Sequence, residues 1–282
     1  MNKTNYQIYG IASGIAAEKY GAQLGVWDMY YSLPNINQHM ENIFCSDSNK
    51  TKLDVITDIA PLYQQVNAKV VSNYVAGDKY LFFTGDHANG VATWSSISNA
   101  VQKNMGLIWI DAHLDCHTPE SSDSKNVHGM PVAHLMGYGD SRLSSLIKHK
   151  FKPQNIAYIA TRDFEEAELD FVNKHGIKVF FMKDINTENV NAVFAEAIAH
   201  VSQNVDYFGI SLDIDSMSPE FAPGTGCYNP NGLDSAWVLE NIKAASNHEK
   251  FLGLEITEYN PLLDENRKTF KVIMDIVKSI LL

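Results

Sequence analysis

The chain has 282 residues, 45% of them apolar, which is enough for a sizeable core and within reach of one large α/β domain. Its formal net charge of −11 argues against nucleic acid or an anionic membrane as the main partner. No run reaches the roughly 18 apolar residues of a membrane-crossing helix, and Cys45, Cys116 and Cys227 are widely spaced. They read as free thiols in a reducing, cytoplasmic compartment.

The first predicted element is a strand, "YQIYGIA", over 6–12. Gly10 and Gly14 interrupt the apolar stretch around it and Glu18-Lys19 follow, so it reads as strand and turn, not as a secretion signal. Residues 34–54 are polar and mixed and read as a surface excursion. A helical pattern follows over 61–78. Strands are predicted at 80–85 ("YLFFTG"), 106–113 ("GLIWIDAH") and 155–161 ("NIAYIAT").

Next come a helix over 165–176 that ends in a glycine, a strand at 177–182, and a helix over 186–204. The latter places Val190, Val193, Phe194, Ala197, Ile198 and Val201 on one face, with Asn186 or Thr187 as its cap. A strand at 206–215, a helix at 234–247, a strand at 251–257 and an amphipathic helix at 267–282 complete the chain. Near-continuous apolar strands alternating with helices imply a doubly wound α/β domain spanning 1–282, with a mostly parallel sheet.

In such a sheet, ligands gather beyond the carboxyl ends of the strands. Polar residues of ligand type collect at those ends: His87 after "YLFFTG", Asp111, His113 and Asp115 after "GLIWI", Asp213 and Asp215 after "FGISL", and Glu258 after "LGLEIT". Residues two apart on a strand share a side. Four crowded carboxylates repel one another, and a pair of divalent cations is the simplest remedy. Carboxylate with imidazole suits manganese, zinc or iron better than calcium or magnesium.

Taken singly, each residue has a bland reading. A D-x-D ends many solvated strands, an isolated histidine caps a turn, and a lone glutamate lies on the surface. The joint occurrence at one predicted sheet edge reverses that reading. The acidic run Asp163, Glu165, Glu166 and Glu168 reads mostly as a solvated helix start. His117, His134, His175, His200 and His248 fit no ligand pattern.

With these residues in view, the sequence resembles the ureohydrolases, the arginase/agmatinase family. The likeness rests on "GDHANG" (85–90), "DAHLDCHTP" (111–119), "VHGMPV" (127–132), "SLDIDSMSPEFAPGTG" (211–226) and "GLEITEYNP" (253–261), in family order. It implies a three-layer α/β sandwich with helices on both faces of the sheet, and two Mn²⁺ per subunit. One ion would take His87, Asp111, Asp115 and Asp213, the other His113, Asp111, Asp213 and Asp215.

The resemblance further implies attack of a hydroxide held between the ions on a guanidinium carbon. Asp115 would accept a proton, His128 would shuttle one to the leaving amine, and Glu258 would pair with the guanidinium. Within the family the loop "CHTPESSDSKNVHG" is most similar to arginases. That implies L-arginine as substrate, its head met by His117, Ser122, Ser124, Asn126 and Glu165, with L-ornithine and urea as products.

Arginases usually carry Asn where His117 stands, Asp for Glu165, Gly for Lys125 and Thr for Cys227. The alternatives are therefore agmatinase, guanidinobutyrase or formimidoylglutamase activity, or a non-catalytic binding member of the fold. A homo-oligomer, trimer or hexamer, is implied by resemblance, with no nucleic-acid or membrane partner.

Overall fold

The structure is a computed structural model that describes residues 5–32, 40 and 42–281. Strands β1 (Tyr6–Ala12), β2 (Asn42–Cys45), β3 (Lys79–Thr84), β4 (Met105–Ile110), β5 (Ile156–Thr161), β6 (Lys178–Phe181), β7 (Tyr207–Asp213) and β8 (Phe251–Thr257) form one sheet. Its order is β2-β1-β3-β8-β7-β4-β5-β6, and every pairing is parallel.

The strands are apolar on both faces because both faces are covered. Alternate residues feed two separate cores: Tyr80, Phe82, Leu107 and Trp109 enter one, and Leu81, Phe83, Ile108 and Ile110 the other. The helices are α1 (Ala22–Ser32), α2 (Ile56–Ser72), α3 (Gly90–Val101), α4 (Pro131–Leu135), α5 (Ser141–Ser144), α6 (Glu166–His175), α7 (Val190–Ser202), α8 (Ser235–Ser246) and α9 (Lys268–Leu281).

The first core is closed by α2 and α3, with Leu135 and Val172 at its edge. The second is closed by Val26 and Met29 of α1, Phe194 and Val201 of α7, Val238 and Ile242 of α8, and Ile273 and Ile276 of α9. This is the expected three-layer sandwich. The sheet is parallel throughout among the described residues.

Several elements differ from expectation. Strand β2 lies inside the polar stretch 34–54 and pairs with β1 through Tyr9 and Asn42. Residues 34–39 and 41 of that stretch lie outside the described residues. The helix expected from Pro61 begins at Ile56, because Ile56, Ile59 and Ala60 continue its buried stripe. The helix over 186–204 begins at Val190. Asn186 instead accepts from the backbone of Glu188 and Asn189 at 2.9 and 3.3 Å, before the helix begins.

Helix α3 was not anticipated. All its residues are buried, so it has no polar face to generate an amphipathic period. Its serines are satisfied within the helix and by its neighbours: Ser96 Oγ donates to the Thr93 carbonyl at 2.9 Å, Asn67 of α2 donates to Ser95 Oγ at 3.1 Å, and Ser98 Oγ donates to the His149 carbonyl at 3.0 Å. Trp94 lies so close to β7 that a Cβ on Gly209 would fall 2.0 Å from the indole, so this position needs glycine.

Candidate metal centre

The central strands β3, β8, β7 and β4 are neighbours in the sheet, and their carboxyl ends deliver the polar cluster. His87 opens a single helical turn after β3, with the side chain of Asp86 accepting from Ala88 N to start that turn. Its ring stacks on Trp109 with centroids 4.0 Å apart. Its Nδ1 faces Asp111 Oδ2 at 3.0 Å, Asp115 Oδ2 at 3.1 Å and Asp213 Oδ2 at 3.0 Å. The nitrogen nevertheless has no hydrogen-bond partner, although it is buried. Three oxygens near a nitrogen without hydrogen-bond geometry are arranged around a common point in space.

Asp111 is held on both oxygens: Trp109 Nε1 donates to Oδ2 at 2.9 Å and the His113 backbone to Oδ1 at 2.8 Å. His113 Nδ1 lies 3.3 Å from Asp111 Oδ1 and 3.2 Å from Asp215 Oδ2. Asp213 accepts from Asp215 N at 2.8 Å, which turns the chain so that both carboxylates face the same space. Asp115 has a left-handed φ of 48°, which breaks the extended run after Asp111. The expected strand thus ends at Ile110, and turns rather than continued extension bring Asp111, His113 and Asp115 together.

Asp111, Asp115, Asp213 and Asp215 are all buried, with His87. Groups of His87, Asp111 and Asp213, and of His113, Asp215 and Cys227, each keep their ligand atoms within 4.8 Å of one another. An orphaned ring nitrogen beside uncompensated carboxylates, at that spacing, fits a pair of divalent ions.

The electrostatics agree. Burial and the Asp111 charge push the Asp115 carboxyl up to about 7. Burial with the neighbouring aspartates also raises Asp213 and Asp215. Burial opposes the charged form of His87, but the three carboxylates at its Nδ1 win and hold it well above the ordinary range. His128 behaves similarly: burial is outweighed by Glu258, whose Oε1 lies 3.5 Å from Nδ1, and the ring is raised to about 9. Glu258 sits at a left-handed φ of 63° and accepts from His87 N at 2.8 Å, so it is locked to the turn that carries His87.

A cavity of about 190 Å³ opens onto this cluster, lined among others by His117, Ser122, Ser124, Asn126, His128, Glu165, Cys227 and Glu258. Every residue expected at the site is therefore gathered there, but not in equal roles. Ser122 Oγ accepts from Lys125 N at 3.0 Å, and Ser124 Oγ from Asn126 N at 3.3 Å, so both hydroxyls also shape their own loop. Lys125 is turned away: its Nζ donates to the Pro119 carbonyl at 2.8 Å, and its φ of 62° is one that glycine adopts freely.

The acidic run is not simply a solvated helix start. Glu165 precedes α6 in a capping box with Glu168, whose Oε2 accepts from Glu165 N at 3.1 Å. Glu168 is buried and lines the cavity. His117 Nε2 stands 3.4 Å from Glu165 Oε2 and 3.6 Å from Glu168 Oε2, and is without a hydrogen-bond partner. Asp163 Oδ2 lies 3.7 Å from His113 Nε2. The helix-start pattern hid these contacts, because the charges satisfy the same sequence rule whether or not they face a pocket.

Arg162 was given no role by the sequence reading. A register shift between Ile159 and Thr161 marks a bulge at the end of β5, where Ala160 has φ 77°. Beyond it, the Arg162 guanidinium donates to the main-chain carbonyls of Asp215, Asn229, Pro230, Ser216 and Ala160 at 2.6 to 3.2 Å. It clamps the segment between Asp215 and Pro230 onto the sheet edge. His134, by contrast, is structural as expected: Nδ1 meets the Met130 carbonyl at 2.8 Å and Nε2 accepts from Asp140 N at 3.1 Å.

A family model described as the arginase family matches residues 5–282. An arginase of Brevibacillus brevis is 30% identical, over 99% of this chain and 98% of the relative. An arginase of Staphylococcus aureus (strain MRSA252) is 31% identical, over 98% of this chain and 96% of the relative. A crystal structure of arginase from Bacillus cereus superposes with a TM-score of 0.90 at 29% identity, covering 99% and 98% of the two chains.

Proposed function

The chain belongs to the arginase family, whose members are hydrolases of amidino and guanidino groups, and we propose on that footing that it hydrolyses L-arginine to L-ornithine and urea. The observation that carries the reading is the buried, partnerless Nδ1 of His87 facing three carboxylates. His87, Asp111, Asp115 and Asp213 would hold one Mn²⁺, and His113, Asp111, Asp213 and Asp215 the second, with Asp111 and Asp213 shared.

Such ions, when bound, neutralise the four carboxylates and bring the pKa of water down to about 7. The remaining work falls to side chains. The Glu258 carboxylate offers two oxygens to a planar guanidinium, and its fixed φ and its bond to His87 N aim them. Asp115 takes a proton as the carbon becomes tetrahedral. His128, raised to about 9, is protonated near neutrality and gives its proton to the departing amine.

The head of the substrate is read by His117, Ser122, Ser124, Asn126 and Glu165, all on the cavity wall. The engagement of Lys125 with Pro119 removes one cation that would have favoured a more acidic substrate. The same reading takes the protein to be cytoplasmic, one ureohydrolase domain over its length and a homo-oligomer, trimer or hexamer. Among the described residues, no helix is long and apolar enough to cross a membrane.

The test is a substrate panel with manganese-loaded protein: arginine, agmatine and guanidinobutyrate assayed for urea, and formiminoglutamate for formamide. Urea from arginine at the highest kcat/KM is expected. Preference for another member of the panel would replace the substrate, and silence on all four would end the reading.

A further inference from the structure

Glu255 of β8 is fully buried, lies outside the proposed ligand set, and is given no task by the chemistry above. Its partners are all uncharged. Oε1 accepts from Thr93 Oγ1 at 2.8 Å and Thr84 Oγ1 at 3.2 Å, and Oε2 from Ser211 Oγ at 2.7 Å and Trp94 Nε1 at 2.9 Å. Burying a carboxylate among neutral donors is costly, and such groups are kept where their direction matters.

The direction here is set by inventory. An indole nitrogen can only donate, so Oε2 acts as an acceptor. Ser211 has a single hydroxyl proton, and it is committed to Oε2. Its remaining lone pairs face His87 Nε2 at 2.9 Å. Nε2 must therefore carry a hydrogen, so in the neutral ring that a cation would bind, the bare nitrogen is Nδ1, toward Asp111, Asp115 and Asp213.

We infer that Glu255 is a positioning residue that acts through Ser211 to fix the ring orientation and tautomer of His87, presenting an unprotonated Nδ1 to a divalent cation. The inference rests on the proposed metal-dependent function. Helix α3 and strand β3 complete the device: Thr93 and Trp94 fix the carboxylate from one side and Thr84 from the strand, while Gly209 admits the indole. Hydrogen-bond partners of ligating histidines commonly set metal affinity in this way.

The test compares wild type with Ser211→Ala, Glu255→Met and Glu255→Gln. Mn²⁺ affinity is measured by chelator competition, and ¹⁵N-histidine spectra are recorded on the Zn²⁺-loaded proteins. Ser211→Ala and Glu255→Met should weaken one ion by about 10- to 100-fold and abolish the protected Nε2–H resonance of His87. Glu255→Gln keeps an acceptor oxygen for Ser211 and Trp94 and should restore both. Wild-type affinity and spectra in Ser211→Ala would overturn the assignment, even if Glu255→Met did not fold. A Gln variant as impaired as Met would also overturn it, because charge and not acceptor geometry would then be at work. Wild-type protein that binds no ion would instead end the metal-dependent reading itself.

Discussion

Arg162 Nη2 donates to the main-chain carbonyl of Asp215 at 2.6 Å, so the backbone of one proposed ligand is tied directly to a cation beyond the end of β5, across the intervening β4. The same guanidinium reaches four other carbonyls of β5 and the covering segment. Arg162→Met strands those acceptors and should lower stability by about 2–4 kcal/mol, with weaker retention of the ion near Asp215. Lysine, with one ammonium for five acceptors, should recover only part. Chemical denaturation and metal analysis of both variants check this; a Met variant of native stability would dismiss the clamp.

Replacing His128 by Ala should cut turnover by about 10²- to 10⁴-fold while two ions remain bound. The imidazole touches Glu258 at 3.5 Å, and no proposed ligand depends on it. Steady-state kinetics with elemental analysis separate the two effects, and loss of metal would count against a proton-transfer role.

Glu258→Gln retains an oxygen for His87 N but loses the charge that meets a guanidinium. We expect normal metal content and a fall in kcat/KM of about 10- to 100-fold, equivalent to the 1.5–3 kcal/mol of a charge-assisted hydrogen bond. Unchanged efficiency on guanidino substrates would show that some other group binds that end.

Asp213→Ala removes an oxygen 3.0 Å from His87 Nδ1 and the carboxylate that accepts from Asp215 N. At least one ion should be lost on dialysis, measured by elemental analysis. Full retention of both would contradict a shared-ligand role.

Metal-free protein should lose stability as pH rises from about 4 to 9. Asp115 and Asp86 have native pKa values of about 7 against 3.8 unfolded, so the folded chain binds more protons through that interval and is favoured at its acid end. His128, about 9 against 6.5, extends the same slope upward. His134, lowered by burial, acts in the opposite sense below 6.5 and should blunt the curve there. Manganese should flatten or reverse the trend, because bound cations replace protons. Thermal melts across pH, with and without metal, report the sign directly.

The strands β3, β4, β5, β7 and β8 were legible because burial on both faces leaves uninterrupted apolar runs, and the ligand residues because they terminate those runs. Helix α3 was not legible, because total burial erases the polar stripe by which helices are recognised. Strand β2 is short, half-buried and set in polar sequence, so no pattern betrays it. Glu255 hides in plain view: it breaks the apolar run of β8, but its four donors come from β3, α3 and β7, an arrangement no linear spacing encodes. Glu168 was misread because a helix-start preference for acids explains it equally well, whereas Asp163 is exposed as that preference implies.

The sheet order carries a consequence for biosynthesis. His87 and Asp111 are close in sequence, yet β8 and β7, made after both, lie between β3 and β4 in the sheet. Until the carboxyl-terminal third of the chain has emerged and slotted into the middle, the halves of the ion pocket have no scaffold to meet across. A polypeptide that lacks β7 and β8 therefore cannot assemble the proposed ion pocket, and ion retention would report that these two strands have been inserted.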